Sequence, residues 1–157
     1  MKRNSIISII GLCCVVVLLL LSGCKKEEPE TFFSDQQHPA WSIPSDYDVT
    51  SSMTAVIKVD LKAQYPDMAA DFVIDSNDLL AAFAGETCLG TATPQDSLFF
   101  LYIAGQTTPT STPALTLRYW SAHYKNLFEA PDAFPFTNDA RLGTADHPFI
   151  PAFVVVK

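Results

Sequence analysis

Hydrophobic and polar residues alternate with a period of two in several parts of the chain. In residues 53–60 every second position is apolar, beginning at Met53, and residues 114–122 repeat this pattern from Leu115 to Tyr119. Such alternation over several residues is typical of a β-strand with one buried and one exposed face. Both segments are therefore predicted to be half-buried strands.

Apolar runs bounded by turn residues predict further strands. Gly85 and Glu86 separate two of these runs and predict a hairpin with a glycine in its turn. Residues 97–104 are almost entirely apolar (SLFFLYIA), which predicts a central strand. A single short turn of helix is expected, in residues 65–71. The further strands predicted in this way cover residues 79–84, 87–93, 97–104, 127–130 and 149–156.

The spacing of these segments predicts the fold class. About seven short strands at intervals of about 8 to 12 residues, joined by loops rich in proline and threonine, are typical of an antiparallel β-sandwich. The chain has 157 residues, which is enough for one domain of ordinary size and a targeting segment. We therefore expect an all-β fold, an antiparallel β-sandwich, with a small β-barrel as the alternative.

The N-terminus has the pattern of a secretory signal peptide. Lys2 and Arg3 form a positively charged start, and residues 6–21 form an apolar run that is short for a membrane span. The run ends in Leu-Ser-Gly-Cys, which resembles the lipobox of bacterial lipoproteins, where small residues fit the cleavage site and the thiol accepts diacylglycerol. Residues 1–23 are thus predicted to be a lipoprotein signal peptide, and Cys24 the lipidated residue. An uncleaved anchor helix is the alternative.

The segment after the predicted lipidation site is polar. Residues 25–30 read KKEEPE, which predicts a solvated tether. They also resemble the lysine-then-acidic signal of surface-exposed lipoproteins of the Bacteroidetes, which implies the outer membrane, facing the cell exterior. A simple solubilising spacer is the alternative. After the signal peptide, residues 24–46 are predicted to form the lipidated cysteine and a flexible tether. Residues 47–157 are predicted to form the β-sandwich domain.

Charge and cysteine content exclude two classes of protein. Without Lys2 and Arg3, eight basic residues remain against 17 acidic ones, a net charge of −9. Such a chain lacks the basic surface that nucleic-acid binding needs. Of the four cysteines, only Cys88 would remain as a free thiol after processing, which excludes an intrachain disulfide. Cys88 lies in an apolar strand pattern and is predicted to be buried and unreactive.

Several segments together resemble a domain of unknown function that recurs in Bacteroidetes lipoproteins and secreted surface proteins. The match spans nearly the whole domain and is most distinctive in residues 81–90. The chain departs from the family at Leu89, where an arginine is more frequent, and at Trp120 and Ser121, where the family shows Tyr-Asp. The resemblance implies an immunoglobulin-like sandwich on the cell surface, an accessory or adhesion module, and it supplies no catalytic residues. The matching residues are 47–54, 77–90, the apolar strand up to Gly105, 115–120, 136–140, 142–143 and 148–149.

Motifs for catalysis or metal binding are weak. The sequence contains no HExxH, P-loop, GxSxG, GxGxxG or CxxC motif, and its three histidines have no partner at i, i+4. No cofactor is therefore expected. An acidic cluster precedes the strand at residue 79 and offers oxygen ligands for calcium, but it lacks the glycine of an EF-hand loop, so an Asx-turn is favoured. The members of this cluster are Asp71, Asp75, Asn77 and Asp78.

Aromatic residues offer the best candidate for a binding site. By the alternation in residues 114–122, Trp120 falls on the polar face of its strand together with Arg118, and Tyr124 follows in the turn just beyond. An exposed indole is a natural platform for a sugar ring or a protein partner. These three residues are the predicted ligand-binding residues. The alternative is structural packing, with aromatic residues of the tether covering this face.

These observations favour a non-catalytic, lipid-anchored binding or adhesion module on the cell surface. Its expected partners are the membrane, through Cys24, and a glycan or a surface protein. An accessory glycan-capturing lipoprotein is the second hypothesis, and a flat row of exposed aromatic side chains would favour it. A glycoside hydrolase that uses the acidic cluster is the third, and it would need a deep cleft lined by two carboxylates.

Overall fold

The structure is a computed structural model, and it describes residues 32–68, 72–106 and 114–156. Nine β-strands and one short α-helix lie in these residues. The helix is α1 (Leu61–Gln64), and the strands are β1 (Ser51–Lys58), β2 (Leu79–Ala84), β3 (Thr87–Ala92), β4 (Pro94–Gln95), β5 (Leu98–Gly105), β6 (Ala114–Ser121), β7 (Asn126–Pro135), β8 (Arg141–Leu142) and β9 (Val154–Val155).

The strands pair into two sheets. Sheet A has the order β4-β5-β1-β8, and sheet B has the order β3-β2-β6-β7-β9. The strand pairs are antiparallel, except that β1 and β8 run parallel. The prediction of an all-β fold is therefore confirmed, and two packed sheets agree with a sandwich. Each of the seven predicted strands overlaps an observed one, while β4 and β8, with two residues each, were not predicted.

Alternate residues of the strands fill the space between the two sheets. Met53 and Ile57 of β1 belong to the same buried cluster as Leu115, Leu117 and Tyr119 of β6. The alternation predicted for these two strands is confirmed. Burying one large apolar side chain contributes about 1.5 to 3 kcal/mol, so the cluster supplies most of the driving force for packing sheet A on sheet B.

The two sheets approach each other closely where β3 passes β5. Gly90 in β3 lies so near the backbone carbonyl of Tyr102 in β5 that a Cβ atom at residue 90 would overlap the carbonyl oxygen. Only glycine permits two backbones to come this close. This contact fixes the position of β5 at Tyr102, a residue that matters for the candidate site below.

The helical turn lies earlier in the chain than predicted. It spans Leu61–Gln64 instead of residues 65–71, because the side chain of Asp60 accepts a hydrogen bond from the Ala63 backbone N–H (3.3 Å) and caps the first turn. Residues 69–71 lie outside the described residues. No helix in the part of the chain that the structure describes is long and apolar enough to cross a membrane.

The compact unit begins before the predicted domain boundary. It runs from Thr31 to Lys157, whereas the sequence pattern placed the start of the domain at residue 47. The difference comes from residues 32–41, here called the strap, which have no regular secondary structure but pack against sheet B. The predictions for residues 1–31, including the lipidation of Cys24, lie outside the described residues.

Candidate functional site

Trp120 lies on the outer face of sheet B, as the alternation in β6 predicts, but its indole is buried. Only 7% of the residue is exposed. The imidazole ring of His38, in the strap, packs edge-on against the indole with 4.7 Å between the ring centroids. Trp120 therefore does not form an open platform, because the strap occupies the space above it. Trp120 is thus a packing residue, which was the alternative to a ligand platform.

Tyr124, the second predicted ligand-binding residue, is also covered by the strap. Phe33 packs on its ring at 4.8 Å in a T-shaped arrangement. The backbone N–H of Ser34 donates to the carbonyl of Tyr124 (2.9 Å), and that of Gln36 donates to the carbonyl of Lys125 (3.2 Å). These bonds tie the strap to the turn between β6 and β7, so Tyr124 is a packing residue of this turn.

Arg118, the third predicted ligand-binding residue, makes ion pairs within the chain. Its two terminal nitrogens bind the carboxylate of Glu86 at 3.2 and 3.1 Å, and its Nε binds Glu129 at 3.1 Å. The guanidinium also lies over the ring of Phe83, 4.4 Å from the centroid, and Trp41 of the strap packs on the same ring at 5.5 Å. The hydrogen bonds from Arg118 lower the pKa of Glu86. The Arg118 guanidinium thus already binds side chains of the same chain.

Asp78 is completely buried and connects β2 to β6. Its carboxylate accepts hydrogen bonds from the Tyr119 hydroxyl (2.5 Å), the Ala122 backbone N–H (2.8 Å) and the Asp75 backbone N–H (2.9 Å). Burial raises the pKa of the Asp78 carboxyl, although these hydrogen bonds act in the opposite direction. Burial likewise raises the pKa of Tyr119. The sequence pattern alone did not indicate this structural role.

The rest of the acidic cluster also has a structural explanation. Oδ1 of Asp75 accepts hydrogen bonds from the backbone N–H and the side-chain amide of Asn77, at 2.8 and 2.9 Å. This is an Asx-turn, as predicted. Asp71 lies outside the described residues. Among those that the structure does describe, His, Cys, Asp and Glu side chains form no group of three that would hold a metal ion.

Cys88 is buried on the outer side of sheet B, as predicted. It belongs to a small apolar cluster with Ala81 and Phe83, and Trp41 of the strap packs against this cluster. Its thiol lies 3.8 Å from the carbonyl oxygen of Gly90. Burial raises the pKa of the thiol, which disfavours the reactive thiolate form.

The outer face of sheet A, in contrast, carries two exposed aromatic side chains. Phe100 and Tyr102 in β5 are 45% and 51% exposed, while Phe99, Leu101 and Ile103 are buried. Residues i and i+2 of a strand lie on the same face about 7 Å apart. The two rings therefore form a short row on the surface, and the strap, which packs on sheet B, does not cover them.

A concavity of about 340 Å³ adjoins Tyr102. The loop that forms its rim is held to β1, because the backbone N–H of Asp139 donates to the carbonyl of Ser52 (2.8 Å). The side-chain amide of Asn138 donates to Oδ2 of Asp139 (3.1 Å), which holds these two polar side chains together. Besides Tyr102, the concavity is lined by residues 49–52, Asn138 and Asp139.

The strand register extends this surface across sheet A. Tyr102 is paired with Thr54 in β1, and Thr54 is paired with Arg141 in β8. Residues paired in register point to the same face of a sheet, so these three side chains cross the outer face side by side. Asp139 in the concavity and Arg141 on the neighbouring strand carry opposite charges. The candidate site thus combines aromatic rings, hydroxyl groups, an amide and a carboxylate, with the guanidinium of Arg141 on the neighbouring strand.

The concavity lies at the end of the sandwich opposite to the one where the strap enters. Ser51, at the concavity, begins β1, which runs for eight residues, about 23 Å, to Lys58. Beyond this far end, the ring of Tyr65 packs against Phe32 of the strap at 5.2 Å. The strap therefore begins near the Lys58 end of β1, and the concavity lies at the Ser51 end.

The sequence pattern did not single out this site. Residues 97–104 were correctly predicted as a central strand, since β5 lies between β4 and β1, but their apolar composition hid which side chains face outward. The available signal was the aromatic pair at alternate positions, Phe100 and Tyr102. Comparison with protein-family models, with curated proteins and with solved structures finds no match for this chain.

Proposed function

We propose that this protein is a lipid-anchored, non-catalytic binding or adhesion module on the outer surface of the outer membrane. The observation that carries the proposal is the row of Phe100 and Tyr102 beside a polar concavity on sheet A. Exposed apolar surface rimmed by polar residues is typical of binding sites, and aromatic residues are enriched there. The concavity lies at the end of β1 opposite to Phe32, the first residue of the strap.

We further propose that the sandwich is immunoglobulin-like. In that fold one sheet contains strands D, E and B in order, and the other contains C′, C, F and G. Assigning B, C, C′, D, E, F and G to β1 through β7 reproduces both orders, since sheet A contains β4-β5-β1 and sheet B contains β3-β2-β6-β7. The strand β8 then occupies the place beside B that strand A takes in immunoglobulin domains. The sequence resemblance and the strand order support the same assignment.

A non-catalytic role fits the chemistry of the concavity better than hydrolysis. Glycosidases use two carboxylic acids that flank the scissile bond. The lining residues of the concavity include one carboxylate, that of Asp139, and the space is open instead of a deep cleft. The acidic cluster, which the hydrolase alternative would use, has a structural role, because Asp75 and Asp78 accept hydrogen bonds from the chain itself.

The lipid anchor is tested by replacing Cys24. The Cys24→Ala protein should take up no labelled palmitate and should leave the membrane fraction, because the lipidated thiol is gone. Cys13→Ala is the matched control, since residue 13 is a cysteine of the predicted signal peptide that does not follow the lipobox, and it should be labelled like the wild type. Labelling of the Cys24→Ala protein would show that the lipoprotein interpretation is wrong.

The surface location is tested by treating intact cells with a protease. The wild-type protein should be cleaved from intact cells, and a variant with Gly-Ser repeats in place of residues 25–30 should be protected, because the lysine-then-acidic signal is removed. If both proteins are cleaved equally, residues 25–30 are only a spacer. If neither is cleaved until the cells are broken, the protein does not face the exterior.

A further inference from the structure

We infer that the concavity beside Tyr102 binds a neutral saccharide, with one sugar ring stacked on the tyrosine. This inference rests on the proposed binding function and names its ligand class. It moves the binding site from the outer face of sheet B, where Trp120 is covered by the strap, to the outer face of sheet A.

The side chains at the concavity match the two kinds of surface that a pyranose ring presents. The faces of a sugar ring carry C–H groups with slight positive charge, and the faces of an aromatic ring are negative, so the two attract each other when stacked. Tyr102 offers such a face, since about half of it is exposed (51%). The edge of a sugar ring carries hydroxyl groups, which need donors and acceptors close by. Ser52, Asn138 and Asp139 supply these in the same concavity.

The groups at the concavity are held in place before any ligand arrives. The hydrogen bond from Asp139 to the carbonyl of Ser52 fixes the loop to β1, and the one from Asn138 to Asp139 orients the amide. The backbone of Tyr102 is packed against Gly90. Less conformational entropy is lost on binding when the binding groups are already ordered. Such preorganisation matters for saccharides, because each hydroxyl must first give up its bonds to water.

The negative charge of the protein favours neutral saccharides over acidic ones. Asp139 brings a carboxylate to the concavity, and the chain as a whole has a net charge of −7. An acidic glycan, whether sialylated or sulfated, would be repelled by this carboxylate and by the negative charge of the chain. A neutral glycan meets no such penalty. The chemistry therefore favours neutral hexose or pentose units.

The second aromatic ring indicates a chain of sugars instead of a single unit. Phe100 is 45% exposed and lies on the same face as Tyr102, about 7 Å away along β5. Val56, paired with Phe100 across the sheet, continues the apolar strip. A saccharide that stacks one unit on Tyr102 would place the next unit over Phe100. We therefore expect oligosaccharides to bind more tightly than the corresponding monosaccharide.

The test is a glycan array probed with the full chain purified in detergent. The array carries neutral oligosaccharides of glucose, mannose, galactose and xylose, with sialylated and sulfated glycans as the acidic arm. The expected result is binding to at least one neutral oligosaccharide and not to the acidic glycans. For the best neutral ligand, Tyr102→Ala should weaken binding about ten-fold or more, whereas Tyr102→Trp, which keeps a stacking ring, should retain it.

The matched control is Phe33→Ala. Phe33 is also an exposed aromatic residue (63%), but it lies in the strap at the other end of the sandwich, so its replacement should leave glycan binding unchanged. Urea melts of each variant measure the free energy of unfolding, which shows whether a loss of binding comes from a loss of folding. Absence of binding to the neutral glycans, equal binding by the wild type and Tyr102→Ala, or equal loss in Phe33→Ala would each overturn the inference.

The inference and the proposed function fail in different ways. If no glycan binds but the protein is labelled by palmitate and cleaved from intact cells, the surface lipoprotein proposal stands and its ligand is a protein. If a neutral glycan binds through Tyr102 but Cys24→Ala does not change localisation, the saccharide site stands and the anchor proposal is wrong.

Discussion

Replacing Asp78 tests whether this buried carboxylate is a structural group and in which protonation state it works. Asp78 is fully buried and accepts hydrogen bonds from the Tyr119 hydroxyl and from the backbone N–H groups of Ala122 and Asp75. Asp78→Ala removes all three bonds at once. Asp78→Asn is nearly the same size and keeps one acceptor oxygen.

The structure sets the expected size of each effect. A buried donor left without an acceptor costs about 1 to 3 kcal/mol, and losses at a shared acceptor do not add fully. The Tyr119 hydroxyl is deeply buried, whereas the two backbone groups are partly solvated. We therefore expect Asp78→Ala to lower the free energy of unfolding by about 3 to 4 kcal/mol and Asp78→Asn by about 1 to 2 kcal/mol. Urea denaturation measures both values.

The pH dependence separates burial from hydrogen bonding. Burial raises the pKa of Asp78 in the folded state, so between its ordinary value near 4 and the raised value the folded protein binds more protons than the unfolded one. The contribution of Asp78 to stability is therefore largest in acid and is lost as pH rises through the raised pKa. Asp78→Asn has no such titration. The difference in stability between the wild type and Asp78→Asn should shrink as pH rises from about 4 through the raised pKa of Asp78.

The opposite trend would refute this reasoning. If the difference grew as pH rose, the charged carboxylate would be the stabilising form, and the three hydrogen bonds would outweigh burial. Asp146→Asn is the control, since residue 146 is an exposed aspartate, and it should change stability by less than about 0.5 kcal/mol at each pH.

Two further predictions concern residues beneath the strap. Trp120→Ala should lower the free energy of unfolding by about 3 to 5 kcal/mol because the indole is buried; a loss below about 1 kcal/mol in a urea melt would show that His38 does not cover it. Cys88 should react slowly with a thiol reagent in the folded protein and rapidly in denaturant, because burial protects the thiol and raises its pKa. Rapid labelling without denaturant would contradict its packing against Trp41.

Much of the fold was predictable because strand formation leaves a local pattern in the sequence. The period of two in β1 and β6 follows from the alternation of side chains between the two faces of a strand, and it correctly assigned the buried face of each. The burial of Cys88 followed from the same kind of pattern. In these cases, the information lies within a few neighbouring residues.

The features that were missed depend on contacts between distant residues. The strap has no periodicity, and although its aromatic residues made packing over Trp120 an alternative, the contact of His38 with Trp120, 82 positions later, was not predicted. Asp78 meets Tyr119 only because β2 pairs with β6. The run of apolar residues in β5 predicted a central strand but did not distinguish its two faces, so the exposure of Tyr102 was not predicted.

The difference between the two outer faces is the strongest reason to place the binding surface on sheet A. Both faces carry aromatic side chains, and an exposed aromatic face tends to associate with whatever apolar or stacking surface it meets. On sheet B the chain satisfies this tendency itself, since ordering the strap costs conformational entropy but buries Trp120 and Phe83. On sheet A no described segment covers Phe100 and Tyr102. This contrast between a covered and an open aromatic face is the reason why we propose that the binding surface lies on sheet A.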